Sequence, residues 1–218
     1  MAKRPSYYRS AFDILAPLYD LGIWFIGLLF GGENNLRRQV VEALPGIDLK
    51  PTPNIKVLEI CCGTATISLM AAEKGAWVYG LDISRGMLTV AAEKAQEKQS
   101  KLRLVQADAA YIPFQAGFFD SAAVSMGLHE MPFDVTRTIL KEIKRILKDN
   151  ARLVIFDYHK AEGFTGFLQK IFFVFAEHET AREFINADLQ KELREAGFKK
   201  FERKLLAKGA LQRVTVNA

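Results

Sequence analysis

Cysteine is scarce in this chain. Only two are present, Cys61 and Cys62, and neighbours in sequence seldom meet the geometry of a disulfide. No disulfide framework is expected, and a reducing, cytoplasmic setting fits best. Long apolar runs are also missing. The most apolar early stretch, LGIWFIGLLF, falls well short of the roughly 20 residues a bilayer-spanning helix needs, and it reads as a core or lid helix. The opening MAKRPSYYRS has no apolar centre behind its basic start, which argues against a secretory leader. No Cys/His spacing suggests a metal site. Internal repeats, long basic runs and RNA-binding modules are absent, so nucleic acid is not the expected partner. The formal charge of +5 is mild and fits an ordinary solvated surface, with a modest bias toward anionic lipid or acidic metabolites.

What is present is enough for one well-packed domain: 218 residues, half of them hydrophobic and a quarter charged. Residues 1–50 read as a helical cap. Phe12, Leu15, Leu18 and Tyr19 share one face, and NNLRRQVVEAL forms a further helix. LPGIDLKPTPN then breaks the pattern with three prolines. From residue 51 to 218 the period changes to that of an α/β core. NIKVLEI, WVYGLD, LRLVQAD, FDSAAVSM and ARLVIFDYH read as strands. Between the first strands lie the helices TATISLMAAEKG and SRGMLTVAAEKAQEKQ, the second opened by the capping Ser84. FDVTRTILKEIKRILKD carries a helical stripe of Val135, Ile139, Ile143, Ile146 and Leu147. Such alternation predicts a parallel sheet covered on both faces. An aromatic insertion over 160–185 follows, then a helix stopped by Gly197, and finally two strands that predict an antiparallel hairpin.

The stretch VLEICCGTA ends the first strand in what resembles a nucleotide-binding turn with two glycines missing. A dinucleotide fingerprint needs three glycines so that a pyrophosphate can press against backbone and helix N-terminus. Cys61 and Ala65 stand where the first and third would be, and their side chains would crowd a diphosphate. That argues against the nearest rival, a nicotinamide-dependent oxidoreductase. Glu59 at the strand end would repel phosphate and suit a cationic amine, although it could also cap a neighbouring helix. Asp82, at the end of the second strand, holds the position of an acid that grips ribose hydroxyls. Ribose, cationic amine and no phosphate together describe S-adenosylmethionine.

Glu59, the loop from Cys61 to Ala65, LDIS around Asp82, QADAAYIPF with Asp108, and FDSAAVSMGLHEM resemble the motif series of class I S-adenosylmethionine-dependent methyltransferases. The chain is most similar to the branch that includes the ubiquinone and menaquinone biosynthesis methyltransferases, and APLYD matches that branch too. The resemblance implies a Rossmann-like, seven-stranded, mostly parallel sheet with a terminal antiparallel hairpin and a helical cap. It also implies residue roles. Glu59 meets the methionine amino group, while Cys61, Gly63 and Thr64 contact the amino-acid portion. Asp82 takes the ribose, Ile83 and Met87 lie against adenine, and Asp108 and Ala109 bond its ring. Ser125 and Met126 line the sulfonium side, and Tyr19 closes over the cofactor. Both cysteines read as packing residues rather than nucleophiles.

The acceptor is less legible. All three histidines fall after strands four and five, where a base is useful: His129, His159 and His178. His129 is the candidate base, against the commoner fate of a locally bonded imidazole. GFTGFLQKIFFVFAEHE and LGIWFIGLLF are apolar segments outside the sheet, where this family builds its lid. They imply a small lipophilic acceptor, such as a quinone precursor or a phospholipid amine, and loose association with a membrane surface. A binding protein that holds the cofactor without transferring methyl is the remaining alternative.

Overall fold

The computed structural model describes residues 32–45, 55–175 and 179–218, together with Asp13 and Ala16. Tyr19, His178 and the LGIWFIGLLF segment lie outside these residues. In chain order the elements are α1 (Glu33–Ala43), β1 (Lys56–Ile60), α2 (Thr66–Glu73), β2 (Trp77–Asp82), α3 (Arg85–Glu97), β3 (Arg103–Gln106) and β4 (Phe119–Ser125). They continue with α4 (Phe133–Ile146), β5 (Leu147–Tyr158), α5 (Gly163–Phe175), α6 (Glu179–Asn186), α7 (Leu189–Glu195), β6 (Lys199–Leu206) and β7 (Leu211–Asn217).

The strands form one seven-stranded sheet in the order β3-β2-β1-β4-β5-β7-β6. β1 to β5 pair in parallel, whereas β7 runs antiparallel to both β5 and β6. The seven-stranded sheet read from the sequence is therefore the sheet observed, terminal hairpin included. Alternate residues of the central strands feed two different cores. Leu58, Ile60, Val124 and Ile155 pack on one face of the sheet. Val57, Ala123, Val154 and Phe156 pack on the other with α1 and α2. A strand covered on both faces must be apolar at every position, which is why these segments read as unbroken hydrophobic runs. Helix α4 buries Ile139, Ile143 and Ile146 as its stripe requires.

The order of connection matters for function. The chain moves outward from β1 to β2 and β3, then returns to the other side of β1 to build β4 and β5. The reversal opens a crevice beyond the carboxyl ends of β1 and β4, where open α/β sheets bind ligands.

Candidate active site

The bodies of the central strands β1, β2, β4 and β5 are largely sealed from solvent, but residues at and just past their carboxyl ends are not. Cys61, Gly63, Asp82, Ile83, Asp108, Ser125 and Met126 are all partly exposed along this one edge. Ala109 and Met87 are buried behind them.

The turn after β1 explains the missing glycines. Cys61, Gly63 and Ala65 have φ of +55, +52 and +58°, so the chain enters left-handed backbone at alternate positions. Glycine is the usual occupant of such positions, and a Cβ there costs roughly 1–2 kcal/mol. Packing shows how the first replacement is accommodated. A Cβ added to Gly127, just past β4, would lie 2.7 Å from the Cys61 Cβ, so Cys61 fills the space that Gly127 leaves. Cys62 likewise sits against Gly80 of β2, where an added Cβ would meet its Sγ at 3.0 Å. Burial pushes both thiols well above their usual range, so they are inert fillers at neutral pH. Above Gly63 the backbone stays open. An added Cβ there would meet nothing nearer than the Met87 sulfur at 4.0 Å.

Asp82 fastens this turn to the next loop. Its Oδ2 accepts from Gly63 N–H at 2.7 Å and its Oδ1 from Ser84 N–H at 2.9 Å. Desolvation nevertheless raises its pKa, with those backbone bonds acting in the opposite direction. Glu59 is more deeply buried. Its Oε2 accepts both the N–H and the hydroxyl of Ser68 in the first turn of α2, so it does cap that helix, and neither bond uses Oε1. Burial raises its pKa from 4.5 to about 7, partly offset by Ser68 and Arg37. Thr64 is buried, and its hydroxyl accepts from Lys94 Nζ at 3.1 Å, which braces the turn against α3. Asp108 folds back on its own loop, accepting from Ala110 N–H at 2.9 Å.

At the β4 end, the expected base is found in a different state. His129 is buried, and its Nδ1 lies 2.6 Å from Oδ1 of Asp157 on β5. Its Nε2 faces Glu130 at 3.5 Å. Although desolvation opposes the charge, the Asp157 and Glu130 carboxylates together raise the imidazole pKa to about 10. Asp157 also accepts from the N–H groups of Leu128 and Tyr158 at 3.0 and 2.8 Å. A proton held this tightly leaves little neutral imidazole at pH 7, so His129 is poorly placed to take up another. His159 is engaged elsewhere, its Nδ1 2.9 Å from the Gly209 carbonyl. Among the described residues no cluster of His, Cys, Asp and Glu could hold a metal ion.

Two residues outside the sequence motifs complete the edge. Asp157 is one; an acid within the apolar run LVIFDYH was the available signal, because a buried charge demands a partner. Asp13 is the other. Its Oδ1 accepts from Ser84 Oγ at 2.7 Å and Gly86 N–H at 2.8 Å, joining the N-terminal segment to the start of α3. An added Cβ at Gly86 would lie 2.4 Å from the Asp13 carbonyl oxygen, so only glycine permits this approach. Gly86→Ala is therefore expected to undock Asp13 and the buried Ala16 without unfolding the sheet. Hydrogen exchange in a peptide spanning both residues should rise at least tenfold.

The electrostatic outcome is unusual for a nucleotide crevice. Besides burial, four carboxylates raise the Cys61 thiol pKa: Asp82, Asp157, Glu59 and Asp108. These acids come from β1, β2, β5 and the loop after β3. Acids grouped near the turn disfavour a diphosphate and favour a cation.

Comparison with known proteins agrees with this chemistry. Residues 57–150 match the model of a methyltransferase domain family. The chain is 33% identical over 189 residues to an uncharacterized methyltransferase of Synechocystis, covering 86% of this chain and 85% of that protein. The chain belongs to the S-adenosylmethionine-dependent methyltransferases. It is also 32% identical to the 2-phytyl-1,4-naphtoquinone methyltransferase of Trichormus variabilis, a match spanning 70% of this chain and 65% of that protein. Among solved structures, a methyltransferase from Aquifex aeolicus shares the fold with a TM-score of 0.62 at 21% identity, covering 83% and 88% of the two chains. The cofactor of this methyltransferase is S-adenosylmethionine, and the crevice fits it. The open backbone above Gly63 and the surrounding acids suit an uncapped nucleoside that carries an ammonium group.

Proposed function

We propose that this methyltransferase methylates a ring carbon of an isoprenoid-substituted quinol, bound in its reduced form. The open backbone above Gly63, with the acids Glu59 and Asp82 beside it, carries the cofactor part of the reading. The naphthoquinone relative and the apolar insertion support the acceptor part. S-adenosylmethionine supplies an electrophilic methyl group on a cationic sulfur. In this reading Glu59 receives the ammonium through Oε1, and Asp82 receives the ribose hydroxyls at the crevice face of its carboxylate. The backbone around Cys61 and Gly63 supports the amino-acid portion. Ile83, Met87, Asp108 and Ala109 frame the adenine, and Ser125 and Met126 border the sulfur.

The redox state of the acceptor follows from electron demand. A quinone ring is itself electron-poor and does not attack a cationic methyl donor. Two-electron reduction gives a quinol, whose hydroxyl groups push electron density onto the adjacent ring carbons. One such carbon gains the methyl and gives up its hydrogen as a proton to solvent, so atoms and charge balance. The protein's contribution is alignment, which can be worth about 7–11 kcal/mol. His129 then acts as a positioning residue. Its imidazolium, locked by Asp157, packs 4.6 Å from the Tyr158 ring, and Tyr158 packs 5.0 Å from Phe173 of α5.

The test is methyl transfer from labelled cofactor to a demethyl-naphthoquinol carrying a short prenyl chain, with and without a reductant. Carbon-methylated product is expected only under reducing conditions. Equal transfer to the oxidised quinone, or transfer only to an amine such as phosphoethanolamine, would sink the reading. A second consequence concerns pH. An ammonium beside Glu59 favours the ionised acid, so affinity for S-adenosylhomocysteine should rise from about pH 5.5 to about pH 8, levelling above the Glu59 midpoint. Glu59→Gln should bind roughly tenfold more weakly with that pH dependence removed. Calorimetry across the range distinguishes the two proteins.

A further inference from the structure

Helix α5 is held firmly on one side and left apolar on the other. On its inner side Gln169 accepts from Ala161 N–H at 3.0 Å and donates to the His159 carbonyl at 2.7 Å, while Phe173 is buried against Tyr158. Gly166 lets the helix press close, since an added Cβ would lie 2.4 Å from the Ala161 carbonyl oxygen. On the outer side Phe164, Phe167, Leu168 and Ile171 are 75, 59, 48 and 42% exposed. Their spacing of three, one and three residues places them on a single helical stripe. Four large apolar side chains in one contiguous exposed row mark an interaction surface rather than scattered surface hydrophobes.

The charges beside the stripe specify what meets it. A cleft of about 700 Å³ opens between α5 and α6, lined in part by Phe167, Phe173, Lys160, Lys170, Arg182 and Glu162. Three of these residues are cationic and one is acidic, so the rim favours an anionic headgroup. The stripe faces away from the sheet, while the helix's inner face reaches His129 through Phe173 and Tyr158. Among the described residues no helix is long and apolar enough to cross a membrane; docking at the interface needs none.

We infer that the outer face of α5 and its cationic cleft dock the enzyme on an anionic lipid bilayer, placing the active-site edge where a lipophilic acceptor leaves the membrane. The inference rests on the quinol reading for its purpose and on the α5 geometry for its substance. A bilayer gives the stripe an apolar layer and the lysines the charged headgroup layer directly above it.

The test is co-sedimentation of the full chain with vesicles of phosphatidylcholine alone or mixed with phosphatidylglycerol. The wild type should pellet with the mixed vesicles at least tenfold more than with the neutral ones. Phe167→Glu combined with Leu168→Glu should remain in the supernatant with both. Lys160→Glu combined with Lys170→Glu should lose the preference for phosphatidylglycerol. Affinity for S-adenosylhomocysteine and methylation of a short-chain quinol without vesicles should stay unchanged in both variants, which tests the catalytic reading separately. Wild-type protein left in solution with anionic vesicles would overturn the inference. So would equal pelleting of the apolar variant, or self-association in sedimentation velocity that the same variant abolishes, which would assign the face to a second copy of the chain.

Discussion

Replacing Asp82 with alanine is expected to weaken S-adenosylhomocysteine by at least tenfold, and by on the order of a hundredfold where both ribose hydroxyls lose a charge-assisted partner. The effect is large because Asp82 is engaged on two sides. It holds the Gly63 and Ser84 N–H groups, and it lies where the sugar diol is expected. Asp82→Asn keeps one acceptor oxygen and should fall between the two. A 2′-deoxyribose analogue separates the functions. It should bind the wild type weakly, yet lose little further affinity when Asp82 is changed. If the analogue and the natural ligand bind the wild type equally well, Asp82 serves only to shape the turn.

His129→Gln carries the largest expected effect on stability. Removing one partner of a buried ion pair leaves the other desolvated and uncompensated, a cost of about 3–5 kcal/mol. For a chain of this size that corresponds to a melting temperature lower by on the order of 10 °C. The pH dependence identifies the cause. The imidazole pKa is raised from an ordinary 6.5 to about 10 in the folded state. Its contribution is therefore complete below pH 6.5 and disappears as pH rises through 10. Denaturant titrations should show the wild type losing roughly 3 kcal/mol more than the variant between about pH 6 and about pH 9. Parallel curves would mean that the pair contributes no net stabilisation. Turnover separates the roles further. A positioning residue should be partly rescued by an isosteric replacement such as Asn, whereas loss of a required proton acceptor would not be rescued.

The fold could be read from the sequence because its signals are local. VLEI, VYGL and LVIF announce strands covered on both faces, and Ser84 opens α3 as a capping residue, its hydroxyl accepting from Met87 N–H. The acids at the strand ends were legible for the same reason, since Glu59 and Asp82 follow directly from where β1 and β2 stop. What escaped was set by contacts between distant positions. Asp13 meets Ser84 across 71 residues of chain, and Asp157 meets His129 across 28. Nothing near Thr64 indicates that Lys94 will claim its hydroxyl. For His129 the motif spacing indicates the edge but not the charge, because the charge depends on Asp157, a carboxylate that only the sheet order brings close. The left-handed backbone at Cys61 and Ala65 could be inferred from the glycine pattern, but the space that receives the Cys61 side chain lies just past β4, at Gly127.

That tolerance has a consequence for inheritance. The sulfur at position 61 and the bare backbone at position 127 occupy one shared volume. A lineage that restores glycine at 61 opens a gap, and one that adds a methyl at 127 creates a clash, yet the two changes together exchange a side chain between neighbouring loops. The positions should therefore drift as a pair, with descendants differing at both or at neither.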